Sequence, residues 1–176
     1  DLQDGTNFAG LLQELDQIEG LRRIRYMTSH PKDLTEELVK TIAESSKVVD
    51  HFHLPVQSGS SRVLELMNRR YTKEHYLQLI DLIRKYMPNA AITTDIIVGF
   101  PGETEEDFLE TVDLVRKVKF DNAFTFVYSK RAGTPAARME DPISLDEKKE
   151  RLQRLNDALS DISRDINDKL QDTVVE

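Results

Sequence analysis

The chain of 176 residues contains no cysteine. That absence excludes a disulfide, a thiol nucleophile and any thiolate-held metal within it. It also lacks any apolar run approaching the ~18 residues of a membrane span. Its first residues show no leader pattern, so a cytoplasmic, membrane-free protein is expected. A basic excess is missing too: 24 Lys and Arg stand against 32 Asp and Glu, for a net charge of −8. Phosphate contacts supply most non-specific affinity for nucleic acid, which argues against strong nucleic-acid binding by this chain acting alone. There is no low-complexity segment, and no repeat beyond an alternation of helix and strand. What is present suits one domain, since 39% hydrophobic residues suffice for a core, while 32% charged residues is on the high side. Asp1 is not a methionine, and residues 173–176 read as the opening of another strand. Both suggest a piece of something larger.

The stretch AITTDIIVGFPGETEEDF, residues 91–108, organises the rest. Residues 91–100 are rich in β-branched side chains, with Asp95 the one charge. A near-continuous apolar run suits a parallel strand covered on both faces. Gly99, Pro101 and Gly102 break it. Thr104 caps the next helix, with Glu105, Glu106 and Asp107 where the helix dipole favours negative charge. Asp95 needs a partner, because an isolated carboxylate in an apolar strand is costly. It is either a buried Asp bonded to a hydroxyl such as Thr93, or a ligand-facing group at the top of a β/α barrel.

Helices alternate with strands along the chain. Residues 6–18 are amphipathic, with Phe8, Leu11, Leu12, Leu15 and Ile18 at helical spacing, and Gly20 ends the helix. Residues 21–28 predict a first strand, whose Arg22, Arg23 and Arg25 read as solvated charges rather than a nucleic-acid patch. Thr35 caps a short helix. Residues 48–56 predict a second strand that places His51 and His53 on one face. No third metal ligand is evident beside them, so a structural or substrate-side role is the better reading. Gln57 lies where that strand ends, the ligand face of a parallel β/α array. Thr72 starts a helix to Met87, and residues 104–118 form another. The last strand, 122–129, runs into the basic loop Lys130-Arg131-Ala132-Gly133. Ser144 and Glu147 form a capping-box pattern. From 145 to about 170, the alternating spacing of Leu152, Leu155, Leu159, Ile162 and Ile166 predicts a long helix packed on a barrel rather than a coiled coil. Four strands separated by helices predict an α/β chain with right-handed crossovers in one parallel sheet, too few strands to close a barrel.

Several motifs then match in order: HLPVQSGS from His53, LMNRRYT from Leu66, TTDIIVGFPGETEEDF from Thr93, FTFVYSKRAGTPAA from Phe124 and KKERLQRL from Lys148. Together they resemble the radical S-adenosylmethionine methylthiotransferases. TSHPKD, from Thr28, points to the branch that methylthiolates N6-isopentenyladenosine beside the tRNA anticodon. The resemblance implies a partial TIM-like radical-SAM barrel over residues 1–143, a long helix over 144–171, and the start of an RNA-binding domain over 172–176. It implies S-adenosylmethionine and two 4Fe–4S clusters in the parent protein. The cluster cysteines are absent here, so the chain by itself is expected to be inactive. Related enzymes place a Gln, an Arg and an Asp around the cofactor, and Gln57, Arg69 and Asp95 stand at the matching positions. Arg69 suits the methionine carboxylate, while Gln57 and Asp95 suit ribose hydroxyls or the amino group. Backbone at Val98, Gly99 and Phe100 suits the adenine. Lys130 and Arg131 are the candidates for tRNA contact, with solvated charge as the alternative. Two other readings stay open: the sibling enzymes that methylthiolate an aspartate of a ribosomal protein, and a non-catalytic structural fragment.

An open half-barrel leaves residues 21–28 at an edge, and edge strands are templates for pairing. The inner face, carrying Phe52, Leu54 and Ile96 or their opposite-parity neighbours, would lose its opposing wall. A homodimer through the open side is expected. Sedimentation equilibrium should then require a dimer in the fit; a single monomeric species up to high micromolar concentration rejects it.

Overall fold

A computed structural model describes residues 7–27 and 30–173. The expected opening of a further domain at 172–176 falls mostly outside those residues, as do Thr6, Thr28 and Ser29. The helices are α1 (Phe8–Asp16), α2 (Glu36–Glu44), α3 (Ser61–Leu66), α4 (Lys73–Tyr86), α5 (Glu105–Val118) and α6 (Leu145–Asp168). The strands are β1 (His51–His53), β2 (Ala91–Val98) and β3 (Asn122–Val127), and short 3-10 turns occupy Pro31–Asp33 and Pro135–Arg138. No helix among the described residues is long and apolar enough to cross a membrane.

Each helix begins where a short polar side chain closes its first turn. Asn7, Thr35, Ser60, Thr72, Thr104 and Ser144 accept the N–H groups of Gly10, Leu38, Val63, His75, Asp107 and Glu147. The reciprocal box forms at Thr104 and Asp107. At Ser144 it does not: the Glu147 carboxylate turns instead to Arg151 at 2.7 Å, because a buried guanidinium outcompetes an exposed backbone N–H.

The three strands form a parallel sheet in the order β1-β2-β3, with His53 opposite Thr93 and Asp95 opposite Phe124. The strand expected over 21–28 reduces to one parallel bridge, Ile24 to Val48. Ile24 is the buried anchor there, while Arg23 and Arg25 on either side of it are exposed. The strand expected over 48–56 shortens to three residues because a one-residue bulge interrupts its ladder to β2. Leu54 N–H still reaches Thr93 O at 2.8 Å and Gln57 N–H reaches Asp95 O at 2.9 Å, but Val56 N–H turns to Thr94 Oγ1.

Only one face of β2 is fully covered. Ile92, Thr94, Ile96 and Val98 are buried, whereas Ala91, Thr93, Asp95 and Ile97 are half-buried. Phe52, Leu54, Ile92 and Ile96 have no exposed surface and pack in one core with Tyr76, Ile83, Phe108, Val115 and Phe120. Burying each large apolar side chain contributes about 1.5–3 kcal/mol. The opposite-parity set, with His51, His53, Thr93, Asp95, Phe124 and Phe126, lies on the open face.

Two close contacts explain the spacing of the loops. A Cβ on Gly59 would lie 2.4 Å from Thr111 Cα, so the loop that leads into α3 meets α5 backbone to backbone, and Gly59 N–H donates to Thr111 Oγ1 at 2.9 Å. Nearby, Ser60, Arg62 and Thr104 all donate to the Asp107 carboxylate. Burial alone would raise that carboxyl, but these bonds outweigh it and hold it well below its usual range.

α6 packs along α5 and β3, with Leu155 wholly buried. Two of its charged side chains, Lys148 and Arg151, are buried as well. Arg151 Nη1 donates to Glu103 Oε1 at 2.9 Å, and the two side chains are 4% and 1% exposed. Breaking such a pair leaves a buried charge, which typically costs about 3–5 kcal/mol. Arg151→Met is therefore expected to lower stability by about that amount in urea unfolding. Adding Glu103→Gln to that variant should recover part of the loss. A single variant as stable as the parent would show that the pair contributes nothing.

Candidate functional site

The ends of the three strands open into a cleft of about 640 Å³, within the ~300–1,000 Å³ typical of small-molecule sites. Gln57, Arg69, Asp95, Phe100 and Arg131 line it, together with Met67, Phe126 and Tyr128. Five of the eight sequence-level candidates thus meet in one place. Val98 is buried under the opposite face at 1% exposure. Gly99 and Lys130 are not among the lining residues, and Lys130 is exposed.

Asp95 reaches the cleft because β2 alternates, and odd-numbered positions face away from the helices. Its side chain is 30% exposed, and Oδ1 lies 3.5 Å from His53 Nε2. Neither neighbouring hydroxyl serves it. Thr93 Oγ1 meets His51 Nε2 at 2.9 Å and His53 Nδ1 at 3.0 Å, and Thr94 Oγ1 donates to Leu54 O at 2.9 Å.

Gln57 is held by the sheet through both backbone groups, to Asp95 O and from Ile97 N–H. Its φ is 68°, in the left-handed region that β-carbons disfavour. The strain is of order 1–2 kcal/mol, and the surrounding ladder imposes it. Nothing in HLPVQSGS announces that conformation, because it arises where the chain rejoins β2 after Pro55.

Arg69 is positioned by the end of α3. Asn68 adopts φ 57°, and Arg69 N–H returns to Leu64 O at 2.8 Å. This is the closing bond of a Schellman motif, and Asn is one of the few side chains that tolerate its left-handed position. The guanidinium is half-buried while Arg70 beside it is exposed. Arg69 Nη1 lies 3.4 Å from His30 Nε2. That ring accepts from Lys32 N–H through Nδ1, so a neutral His30 carries its proton on Nε2 and cannot also accept from Arg69. The guanidinium keeps its donors for the cleft.

The wall across from Asp95 comes from the turn after β2. Gly99 has φ 70°, and a Cβ there would sit 2.4 Å from Lys148 Cγ, so glycine is required both by its backbone and by the stem of a lysine on α6. Gly99 N–H donates to Glu103 Oε1 at 2.9 Å. Burial pushes the Glu103 carboxyl up, opposed by this N–H and by Arg151. Phe100 and Tyr128 pack edge to face with ring centroids 5.0 Å apart. The Tyr128 hydroxyl is buried without a hydrogen-bond partner. The sequence reading passed over Tyr128; its place at the C-terminal end of a strand was the available signal. No group of three metal-binding side chains occurs among the described residues.

A family model described as the radical SAM superfamily matches residues 3–115. The whole chain is 56% identical over 176 residues to the tRNA-2-methylthio-N(6)-dimethylallyladenosine synthase of Acetivibrio thermocellus, covering 37% of that protein. It is 57% identical over 176 residues to the enzyme of the same name from Moorella thermoacetica, covering 40% of it. The chain thus spans well under half the length of these relatives. Among solved structures, coproporphyrinogen III oxidase of Escherichia coli, a radical SAM enzyme, superposes with a TM-score of 0.68 at 22% identity. That match covers 88% of this chain and 36% of the other, and it shows the fold, a partial radical-SAM barrel.

The strain at Gln57 yields a prediction. Gln57→Gly should leave the melting temperature unchanged or raise it, because relief of ~1–2 kcal/mol of strain offsets the added entropy of glycine. Gln57→Val, β-branched at positive φ, should lower it by several degrees. Equal melting temperatures for both variants would mean that the backbone relaxes and stores no strain.

Proposed function

From a chain that belongs to the radical SAM superfamily, we propose that the cleft at the strand ends binds S-adenosylmethionine, and that the parent protein is a transferase that methylthiolates tRNA. The observation that carries the reading is the convergence of Arg69, Asp95 and Gln57 from three separate elements on one cleft. Their chemistry fits the cofactor. Arg69 supplies a cationic fork for the methionine carboxylate. Asp95 and Gln57 accept from ribose hydroxyls or the ammonium group. Phe100, Phe126 and Tyr128 offer apolar faces to the adenine, and the unpaired Tyr128 hydroxyl has a partner to gain.

When bound to a 4Fe–4S cluster, S-adenosylmethionine supplies a reductively generated radical. The residues of this chain bind and orient it. The thiolates that hold clusters come from outside this sequence, which has no cysteine; with them the parent carries two. The relatives named as tRNA-2-methylthio-N(6)-dimethylallyladenosine synthases support a tRNA adenosine as the substrate. Lys130 and Arg131, beside the cleft and exposed, are suited to its phosphates. A cytoplasmic location follows from that substrate. Pairing of two copies through the open side of the sheet is a separate proposal; it rests on the uncovered face of β2 and β3 rather than on residues 21–28, which keep only the bridge at Ile24.

In the full-length enzyme, Arg69→Ala and Asp95→Asn should each weaken S-adenosylmethionine binding by about tenfold or more, the worth of one charge-assisted hydrogen bond. Equilibrium dialysis measures it. Unchanged affinity in both variants removes these residues from the site. Offering bulk tRNA and ribosomes as alternative substrates separates the tRNA reading from methylthiolation of a ribosomal protein.

A further inference from the structure

Four side chains that the proposed function does not jointly use lie in file across the open face of the sheet: His51, Thr93, His53 and Asp95. Their parity places all four away from the apolar core. His51 Nε2 is 2.9 Å from Thr93 Oγ1, and His53 Nδ1 is 3.0 Å from the same oxygen. On its other side His53 Nε2 is 3.5 Å from Asp95 Oδ1, with side chains 16% and 30% exposed. The Phe124 ring meets the His53 ring edge to face at 6.2 Å between centroids and limits its rotation.

The arrangement has a direction. A hydroxyl has one proton, so Thr93 donates to one imidazole and accepts from the other. A carboxylate only accepts, so the His53 nitrogen nearest Asp95 carries the proton. His53 Nδ1 is then the acceptor, Thr93 donates to it, and His51 Nε2–H donates to Thr93. Each hydrogen points one way, from His51 to the carboxylate. Burial, followed by the nearby His53 and Arg25, lowers the His51 pKa against the opposing pull of Asp121, which keeps that ring neutral near pH 7.

We propose that this file is a positioning relay, in which the Asp95 carboxylate sets the tautomer of His53, Thr93 and His51 lock that ring from behind, and His53 in turn holds Asp95 by one oxygen. The second oxygen is left to accept from a ligand in the cleft that offers hydroxyl or ammonium donors. The ligand class rests on the cofactor reading above; the relay itself does not. His53 is a positioning residue, since it acts through Asp95. The physical gain is pre-organisation: a carboxylate held in one rotamer loses less freedom when the ligand arrives.

Nitrogen-15 NMR of the imidazoles in this chain is the first test and needs no ligand. His51 and His53 should both appear as the Nε2–H tautomer at pH 7.5. Thr93→Val, which keeps the shape and removes the donor to Nδ1, should leave the His53 proton on Nε2 but move the Nδ1 resonance downfield, toward that of an acceptor nitrogen with no hydrogen bond. A His53 carrying its proton on Nδ1, or an Nδ1 resonance unmoved by Thr93→Val, overturns the relay. The second test is S-adenosylmethionine affinity in the full-length enzyme. His53→Leu should weaken it by about tenfold, and His53→Gln, whose amide N–H can still reach Asp95, should restore most of the loss. Equal affinity in His53→Leu and the parent overturns the positioning role. A parent that shows the expected tautomers but binds no S-adenosylmethionine supports the relay and overturns the cofactor reading instead.

Discussion

The buried pair of Arg151 and Glu103 ties α6 to the turn after the central strand β2. Glu103 sits in the turn after β2 and accepts both from Arg151 on α6 and from Gly99 N–H. Arg151 also reaches Glu147 and Glu105, so one guanidinium answers three carboxylates. Lys148, one turn earlier, lays its stem over Gly99 and ends on Asp141 at 2.6 Å. The turn that builds the aromatic wall of the cleft is thereby clamped from behind by α6. An ion pair this deep is costly to form, and its return is geometric: only one docking of α6 satisfies every charge.

The two faces of the sheet divide the labour. On one, alternate residues of β1 and β2 fill an apolar core under α4 and α5, closed by Tyr76, whose hydroxyl donates to Leu54 O at 2.8 Å. On the other, the same strands carry His51, His53, Thr93 and Asp95. A shift of one residue in register would exchange the sets, placing imidazoles in the core and Ile96 in the cleft. The parallel register of β1 on β2 is therefore what puts His53 beside Thr93, and so beside Asp95.

Most of the secondary structure was legible from local chemistry. Capping residues at Thr35, Thr72, Thr104 and Ser144 mark helix starts that agree with the structure. The β/α alternation supports the partial radical-SAM barrel shown by the structural neighbour. The strands expected over 21–28 and 48–56 are shorter in the structure, because propensity registers neither a missing partner nor the bulge before Gln57. Asp95 was assigned a hydroxyl or a ligand as its partner, and the structure adds His53, two strand positions from a pairing the sequence could not specify.

The amino-acid order by itself determined what lies within one turn or one strand: the caps, the apolar stripes, the glycine breaks and the exclusion of thiolate chemistry. These follow from contacts between residues a few positions apart. Tertiary structure alone decided the left-handed Gln57, the approach of the loop at Gly59 to α5, the lysine behind Gly99 and the direction of the histidine file. Each depends on groups dozens of residues apart being brought within hydrogen-bond distance, and no local preference carries that information.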